Sequence, residues 1–355
     1  MPWGSPSAAL SPSPSRRSQT SSPEVPVLTE RVISFGEALN EAHRLEMRRD
    51  PDVVVFGENV TSSWRVATRG LKEEFGRERV RDAPITETAF IGAGVGAALL
   101  GMRPIVELML IDFGLVAMDQ LLNQMAKTRY MSGGAVRVPL TVRALYGAGT
   151  SSGATHSESL YSLFAHMPGV KVVIPSNPYD AKGLLTACIR DDDPTLFMEH
   201  RLLYPVKGHV PEWSYTIPLG MANLVREGSD VTVVATGLMV RRAAEAADEL
   251  KPEISVEVID PRTLVPLDEE AILRSLKKTG RLVVVDEDYE RCGFSAEVAA
   301  LAAEKGFKHL AAPVARVATP NVPIPYSPVL ERHILPSKEK IVRAIKNTVG
   351  SHRHP

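Results

Sequence analysis

The chain has 355 residues, 44% of them apolar and 23% charged, with a formal net charge of -1. That length exceeds one ordinary core and implies two domains, and the composition is that of a globular protein. The charge balance excludes a nucleic-acid or anionic-membrane surface as the partner, and no apolar run approaches the roughly 20 residues needed to span a bilayer. The two cysteines, Cys188 and Cys292, are far apart and lack metal-type spacing, which argues against a disulfide framework and for a reducing compartment.

In chain order, residues 1–28 read as a disordered tail. The stretch to Pro23 is rich in Ser and Pro, has no acid before Glu24, and cannot bury enough apolar area to offset its ordering entropy. Pro6, Pro12 and Pro14 would break the amphipathic helix of a transit peptide. We therefore read a cytoplasmic chain of bacterial type, with the mitochondrial matrix or a plastid as the alternative if the tail is cleaved.

A first domain is expected over 29–204. Residues 33–48 carry helical periodicity. Val53 to Phe56 is a continuous apolar run, as in a parallel strand buried on both faces. Thr86 to Leu100 is a helix of small residues, Pro104 to Met109 a strand, and Phe113 to Arg129 a helix. Strands follow at Leu140–Arg143, Val170–Ile174 and Thr195–Glu199, with a helix over Pro178–Ile189. Residues 205–226, with Pro205, Gly208, Pro211 and Trp213, read as a connector.

The second domain, 227–350, repeats the alternation. Its strands are Asp230–Ala235, Ser255–Ile259 and Arg281–Val285. Its helices cover Val240–Leu250, Asp268–Lys277, Ser295–Glu304 and about Ser337–Val349. A tail, 351–355, ends the chain. The predicted class is α/β, with two doubly wound open sheets.

The residues that could carry chemistry cluster in the first domain. Glu87 is a lone carboxylate at the mouth of the apolar, glycine-rich run Ile91 to Gly101, where it either caps free N–H groups or shares a proton with a ligand. Gly92, Gly94 and Gly96 mimic a dinucleotide fingerprint, but they lie inside a helix-like run rather than between strand and helix; small residues at i and i+4 suit a close helix contact instead. His156 sits in the long loop Ala144–Ser159, and long loops of compact domains are usually functional. His166 reads as structural, at a helix end. The acidic turn Asp191–Asp193 reads as solvated.

Four stretches together carry a resemblance: Pro84 to Phe90, Glu107 to Phe113, Ala126 to Gly134, and Gly153 to Ser157. They resemble the pyrimidine-binding half of a thiamine diphosphate enzyme, and more narrowly the β subunit of the E1 component of a 2-oxo acid dehydrogenase, over about Thr29–Val349. The second block resembles the transketolase C-terminal domain, which builds the β–β contact and docks on the acyltransferase core.

The resemblance implies roles for particular residues. Glu87 would bond N1′ of the cofactor's aminopyrimidine, favouring the imino tautomer whose nitrogen takes the thiazolium C2 proton; this needs a protonatable carboxyl in a dry site. Phe113 would stack on the pyrimidine and Met109 lie against it. Val116 departs from relatives with a polar residue there, which leaves that side-chain hydrogen bond unsupported. His156 would face the reacting end and assist acyl transfer to lipoyl. In some relatives a potassium ion sits at the turn, which would here involve Leu140, Cys188, Ile189, Asp191 and Asp193, mostly through backbone oxygens.

No Gly-Asp-Gly occurs in the chain, and the resemblance makes that motif, with a later Asn, the usual Mg²⁺ and diphosphate set. It follows that an α subunit supplies that half, in an α₂β₂ heterotetramer serving a lipoyl-bearing E2 acyltransferase. The implied activity is oxidative decarboxylation of pyruvate or a branched-chain 2-oxo acid with reductive acylation of lipoyl. The alternatives are an acetoin dehydrogenase, a specialised biosynthetic acyl transfer and a non-catalytic scaffold; a nicotinamide dehydrogenase is weakened by the misplaced glycines.

Overall fold

The computed structural model describes residues 31–62 and 66–350; the tails expected at 1–28 and 351–355 lie outside them. The first block contains β1 (Val32–Ser34), α1 (Phe35–Arg49), β2 (Val53–Gly57), α2 (Leu71–Phe75), β3 (Val80–Asp82), α3 (Glu87–Leu99), β4 (Arg103–Leu110), α4 (Ala126–Met131), β5 (Thr141–Tyr146), α5 (Tyr161–Ala165), β6 (Lys171–Val173), α6 (Pro178–Arg190) and β7 (Thr195–His200). There follow β8 (Lys207–His209), β9 (Asn223–Arg226), β10 (Val231–Ala235), α7 (Leu238–Glu249), β11 (Val256–Asp260), β12 (Thr263–Val265), α8 (Glu269–Thr279), β13 (Leu282–Tyr289), α9 (Phe294–Glu304), β14 (Ala315–Thr319), α10 (Pro328–Ile334) and α11 (Lys338–Gly350).

Local chemistry sets the helix ends. Ser34 and Glu37 form a reciprocal capping box that opens α1, satisfying two backbone donors at once. Asn177 caps α6 with Pro178 in the first turn, and Asp268 caps α8, which ends at left-handed Gly280, the usual asymmetry of starts and stops. Ser337 stands before α11 and its Oγ accepts from Lys340 N at 3.3 Å, which settles that start.

The strands form two twisted sheets. One has the order β12-β6-β7-β5-β4-β2-β3, the other β14-β13-β10-β11-β9, and β1 pairs with β8. Within the two larger sheets all neighbours are parallel except β12 on β6 and β9 on β11 at the edges, and the β1–β8 pair is antiparallel. The apolar runs behave as their composition requires: Val53, Val55, Val233, Val234 and Val283–Val285 are fully buried, because helices cover both faces of a parallel sheet.

Three features depart from expectation. The stretch expected as a connector contributes β8 and β9. β12, from the second block, crosses to the first sheet and pairs Thr263 with Val173 and Val265 with Val172. The single helix expected over Phe113–Arg129 is broken into a 3₁₀ turn at Ile111–Leu115, a π-helical segment at Gln120–Met125, and α4. The glycines of α3 lie inside the helix, as read: Gly94 faces Val106 and Leu140, whereas a Cβ on Gly96 would meet nothing within 4 Å. His166 closes α5, and both cysteines are free thiols, Cys188 buried and Cys292 exposed.

Candidate active site

In open α/β sheets, ligands bind outside the carboxyl ends of the strands. The candidate residues converge on that edge of the first sheet. Glu58 and Asn59 follow β2, Glu87 follows β3, Met109 ends β4 with Phe113 just beyond, His156 follows β5, and Arg201 follows β7.

Glu87 is the first residue of α3 and is 6% exposed. Phe90 and Ile91 on the next turn are buried, so the carboxyl stands in apolar surroundings. Among the described residues no group donates a hydrogen bond to it, so neither helix capping nor ion pairing there accounts for its burial. Thr88 beside it donates to the carbonyl of Val116 at 2.9 Å, which ties the start of α3 to the turn that carries Phe113. The Val116 side chain is exposed and offers no polar atom.

Met109 is held in a left-handed backbone conformation, φ +74°, at an irregularity between Glu107 and Met109 in the β4–β5 ladder. Bulges of this kind re-aim side chains near sites, and such strain persists where the surroundings over-determine it. Asn59, also left-handed at φ +53°, points its amide at the Met109 sulfur, 3.4 Å away. Gly57 permits this approach, since a Cβ there would lie 2.2 Å from the Glu107 carbonyl oxygen.

Phe113 and His156 are in contact, edge to face, with ring centroids 5.3 Å apart at 87°. His156 is exposed, and its Nδ1 lies 2.9 Å from the Thr155 hydroxyl. The loop behind it is tightly anchored. Arg201 donates to Thr150 Oγ1 at 3.0 Å, to Ser152 Oγ at 3.4 Å and to the His156 carbonyl. Burial lowers the pKa of that guanidinium, opposed by Asp112, Glu287 and Glu331. Burial raises the Glu158 carboxyl; a bond from Tyr289 opposes the shift and the Asp112 charge adds to it. Asp112 Oδ1 accepts from Glu158 N.

The second block closes over this loop. Glu287 of β13 accepts from Ala148 N at 2.8 Å and pairs with His200 at 2.9 Å. Glu331 of α10 accepts from Gly149 and Ser151. Beneath lies a buried polar seam: Tyr161 donates to Asp286, Ser162 N to Asp288 and Arg262 to Asp180. Burial pushes the Asp288 and Asp260 carboxyls up to about 7.

The acidic turn is not a solvated knot, because basic side chains of the fold pair with it. Lys171 reaches Asp191 at 2.7 Å and Asp193 at 3.3 Å. Arg103 donates to the carbonyls of Ile189 and Asp191 and to Asp192, and Arg129 and Arg137 take Asp193 and Asp192. The carbonyls of Leu140 and Cys188 already accept from Thr195 N and Asp191 N. The oxygens of the turn thus already have partners within the fold, with four basic side chains around them. Among the described residues no group of three or more His, Cys, Asp or Glu is arranged to hold a metal ion, and no helix is long and apolar enough to cross a membrane.

Sequence reasoning missed Asn59, Arg201, Glu287 and Glu331. Asn59 follows a run of Val residues and carried no motif. The others act across 45 to 182 positions, a separation no spacing rule detects.

Comparison with known proteins places the two blocks. Residues 31–207 match the transketolase pyrimidine-binding domain, and residues 220–341 match the transketolase C-terminal domain. The chain is 50% identical over 335 residues to the acetoin:2,6-dichlorophenolindophenol oxidoreductase β subunit of Bacillus subtilis, covering 90% of this chain and 98% of that one. It is 44% identical over 320 residues to the 2-oxoisovalerate dehydrogenase β subunit of the same organism, covering 89% and 98%. In fold it is similar to a solved split-gene transketolase described as an inactive β4 tetramer, at 24% identity with a TM-score of 0.72, covering 90% of this chain and 99% of that one.

Proposed function

The chain belongs to the family of β subunits of 2-oxo acid dehydrogenase E1 components, built from transketolase pyrimidine-binding and C-terminal domains, and from that premise we propose that it forms the pyrimidine half of a thiamine diphosphate site completed by an α subunit. The observation that carries this reading is the Glu87 carboxyl, buried at the start of α3 on the same sheet edge as Met109, Phe113 and His156.

Those residues suit the aminopyrimidine. Glu87 shares a proton with a ring nitrogen, Phe113 offers an aromatic face, and Met109 is aimed by its strained backbone. When bound, thiamine diphosphate supplies a carbon nucleophile and an electron sink for cleavage next to a carbonyl. The chain's part is to hold the proton at Glu87, to exclude water with Phe90 and Ile91, and to present His156. With Nδ1 beside Thr155, His156 Nε2 is left to give or take a proton at the oxygen of the migrating acyl group.

The α subunit supplies the Mg²⁺ and diphosphate contacts, the assembly is an α₂β₂ heterotetramer, and a lipoyl-bearing E2 takes the acyl group. A cytoplasmic location of bacterial type goes with this reading. Lys171 and Arg103 provide the positive charge at the turn 188–193, so potassium is not required there.

A second reading concerns substrate. Identity of 50% across nearly the whole length of an acetoin oxidoreductase subunit favours acetoin over pyruvate or a branched-chain 2-oxo acid. The test is to reconstitute the chain with its α partner and thiamine diphosphate and to follow dye reduction with each substrate. Turnover of one of them supports the reading and selects the substrate. Failure of all three in an assembled, cofactor-bound pair returns the chain to a scaffold role.

A further inference from the structure

The C-terminal block grips the His156 loop at two carboxylates, Glu287 at Ala148 N and Glu331 further along. Glu331 is 2% exposed on α10, a short helix that begins at Pro328. Its Oε1 accepts from Gly149 N at 2.8 Å, both oxygens accept from Ser151 N at 3.2 and 3.1 Å, and Oε2 accepts from Ser151 Oγ at 3.3 Å. Alternate residues turn the other way: Thr150, Ser152 and the carbonyl of His156 are held by Arg201. An anion therefore gathers the loop's N–H groups on one side, as in a backbone nest. A cation gathers its oxygens on the other.

The backbone between the two clamps is unusual. Ser151 is left-handed at φ +54°, between left-handed Gly149 and Gly153. A non-glycine residue keeps that conformation only when its surroundings impose it. Glu331 does so at the residue itself, because it takes both the N–H and the hydroxyl of Ser151. Gly153 then packs against the Tyr326 ring, two residues before α10, where a Cβ would lie 2.3 Å from the ring. Three residues later comes His156.

We propose that Glu331 is a positioning residue for acyl transfer, setting the His156 loop from the C-terminal block while Arg201 holds its other side. The proposal rests on the acyl-transfer reading of His156. It gives the C-terminal block a part in the reaction beyond subunit contact. A loop displaced by about 1 Å is enough to cost on the order of a hundredfold in a positioned step.

The test uses the assembled complex with thiamine diphosphate bound. E331Q keeps the size of the side chain but turns one acceptor into a donor facing the loop. Ser151→Ala removes one of the same donors, the hydroxyl, without touching α10, and stands in if E331Q does not assemble. The expected pattern has three parts: lipoyl acylation falls about ten- to hundredfold, dye-linked turnover stays within about twofold, and amide exchange quickens over 147–157 alone. Combined with His156→Ala, E331Q adds no further loss of acylation. Equal loss in both assays, unchanged exchange in the loop, or losses that multiply with His156→Ala would overturn the proposal. His156→Ala alone reports on the underlying reading: normal lipoyl acylation in that variant removes the role of His156, whatever the exchange experiment shows for Glu331.

Discussion

Replacing Arg143 with Met tests whether the floor of the site is held by buried charge. Arg143 lies in β5 with no exposed side-chain surface, between Glu107 of β4 and Glu199 of β7, each 1% exposed. Its guanidinium makes bonds of 2.7 and 2.8 Å to the two oxygens of Glu199 and 2.9 Å to Glu107, and Nη1 lies 3.3 Å from His43 Nε2. Burial works against the Arg143 charge, but Glu199 and Glu107 outweigh it and hold its pKa up. Burial alone, then the same Arg143 charge, lower the pKa of His43 well below its usual value. Both causes favour the neutral ring while Arg143 is in place.

Met fills similar space but takes the Arg143 charge away from both carboxylates. Breaking a buried pair in this way costs about 3–5 kcal/mol, out of a total stability of about 5–15 kcal/mol. Burial raises the Glu199 pKa, with Arg143 opposing and the Glu107 charge adding to the rise. Without the guanidinium the folded value rises further. A raised folded-state carboxyl binds protons that the unfolded chain has released, so its stability is present below the unfolded value of 4.5 and is lost as pH rises through the folded value. The deficit of R143M should therefore widen from pH 5.5 to pH 8, by up to about 1.4 kcal/mol per pH unit per carboxyl. Urea denaturation at the two pH values measures it, with a midpoint lowered by about 1 M or more at pH 8. A deficit below about 1 kcal/mol, or one equal at both pH values, would refute the charge argument.

Two further outcomes follow from the geometry. Phe113→Ala removes the half-buried ring that meets His156 and should raise the thiamine diphosphate concentration needed for half-activation about three- to tenfold, leaving assembly intact; an unchanged titration would separate Phe113 from the pyrimidine. Exchanging potassium for sodium at equal ionic strength should leave the thermal midpoint of the complex unchanged, because Lys171 and Arg103 already occupy the acidic turn; potassium-specific stabilisation would restore an ion to it.

Much of the fold was legible because burial on both faces writes itself as uninterrupted apolar runs, as at Val53–Phe56 and Leu282–Val285. The short edge strand β12 was not, since three residues have no period and their partner lies some ninety positions back. The broken helix after Phe113 was also hidden. Its residues keep apolar spacing, and what changes at Gln120–Met125 is the hydrogen-bond register, which the sequence does not display. The site divides in the same way. Glu87, Phe113 and His156 sit among local motifs and were found. Met109 was named, but its left-handed backbone was not foreseen. Glu331 and Arg201 act through several bonds each, all to residues far away in sequence, so only the folded chain brings them to the loop.

The most direct measurement of the central claim is turnover of Glu87→Gln in the complex with the α partner, alongside its content of thiamine diphosphate. The glutamine keeps the size and burial of the side chain but cannot share its proton. The account predicts an assembled, cofactor-bearing complex with turnover reduced by about a hundred- to ten-thousandfold. Near-normal turnover with normal cofactor content would contradict it.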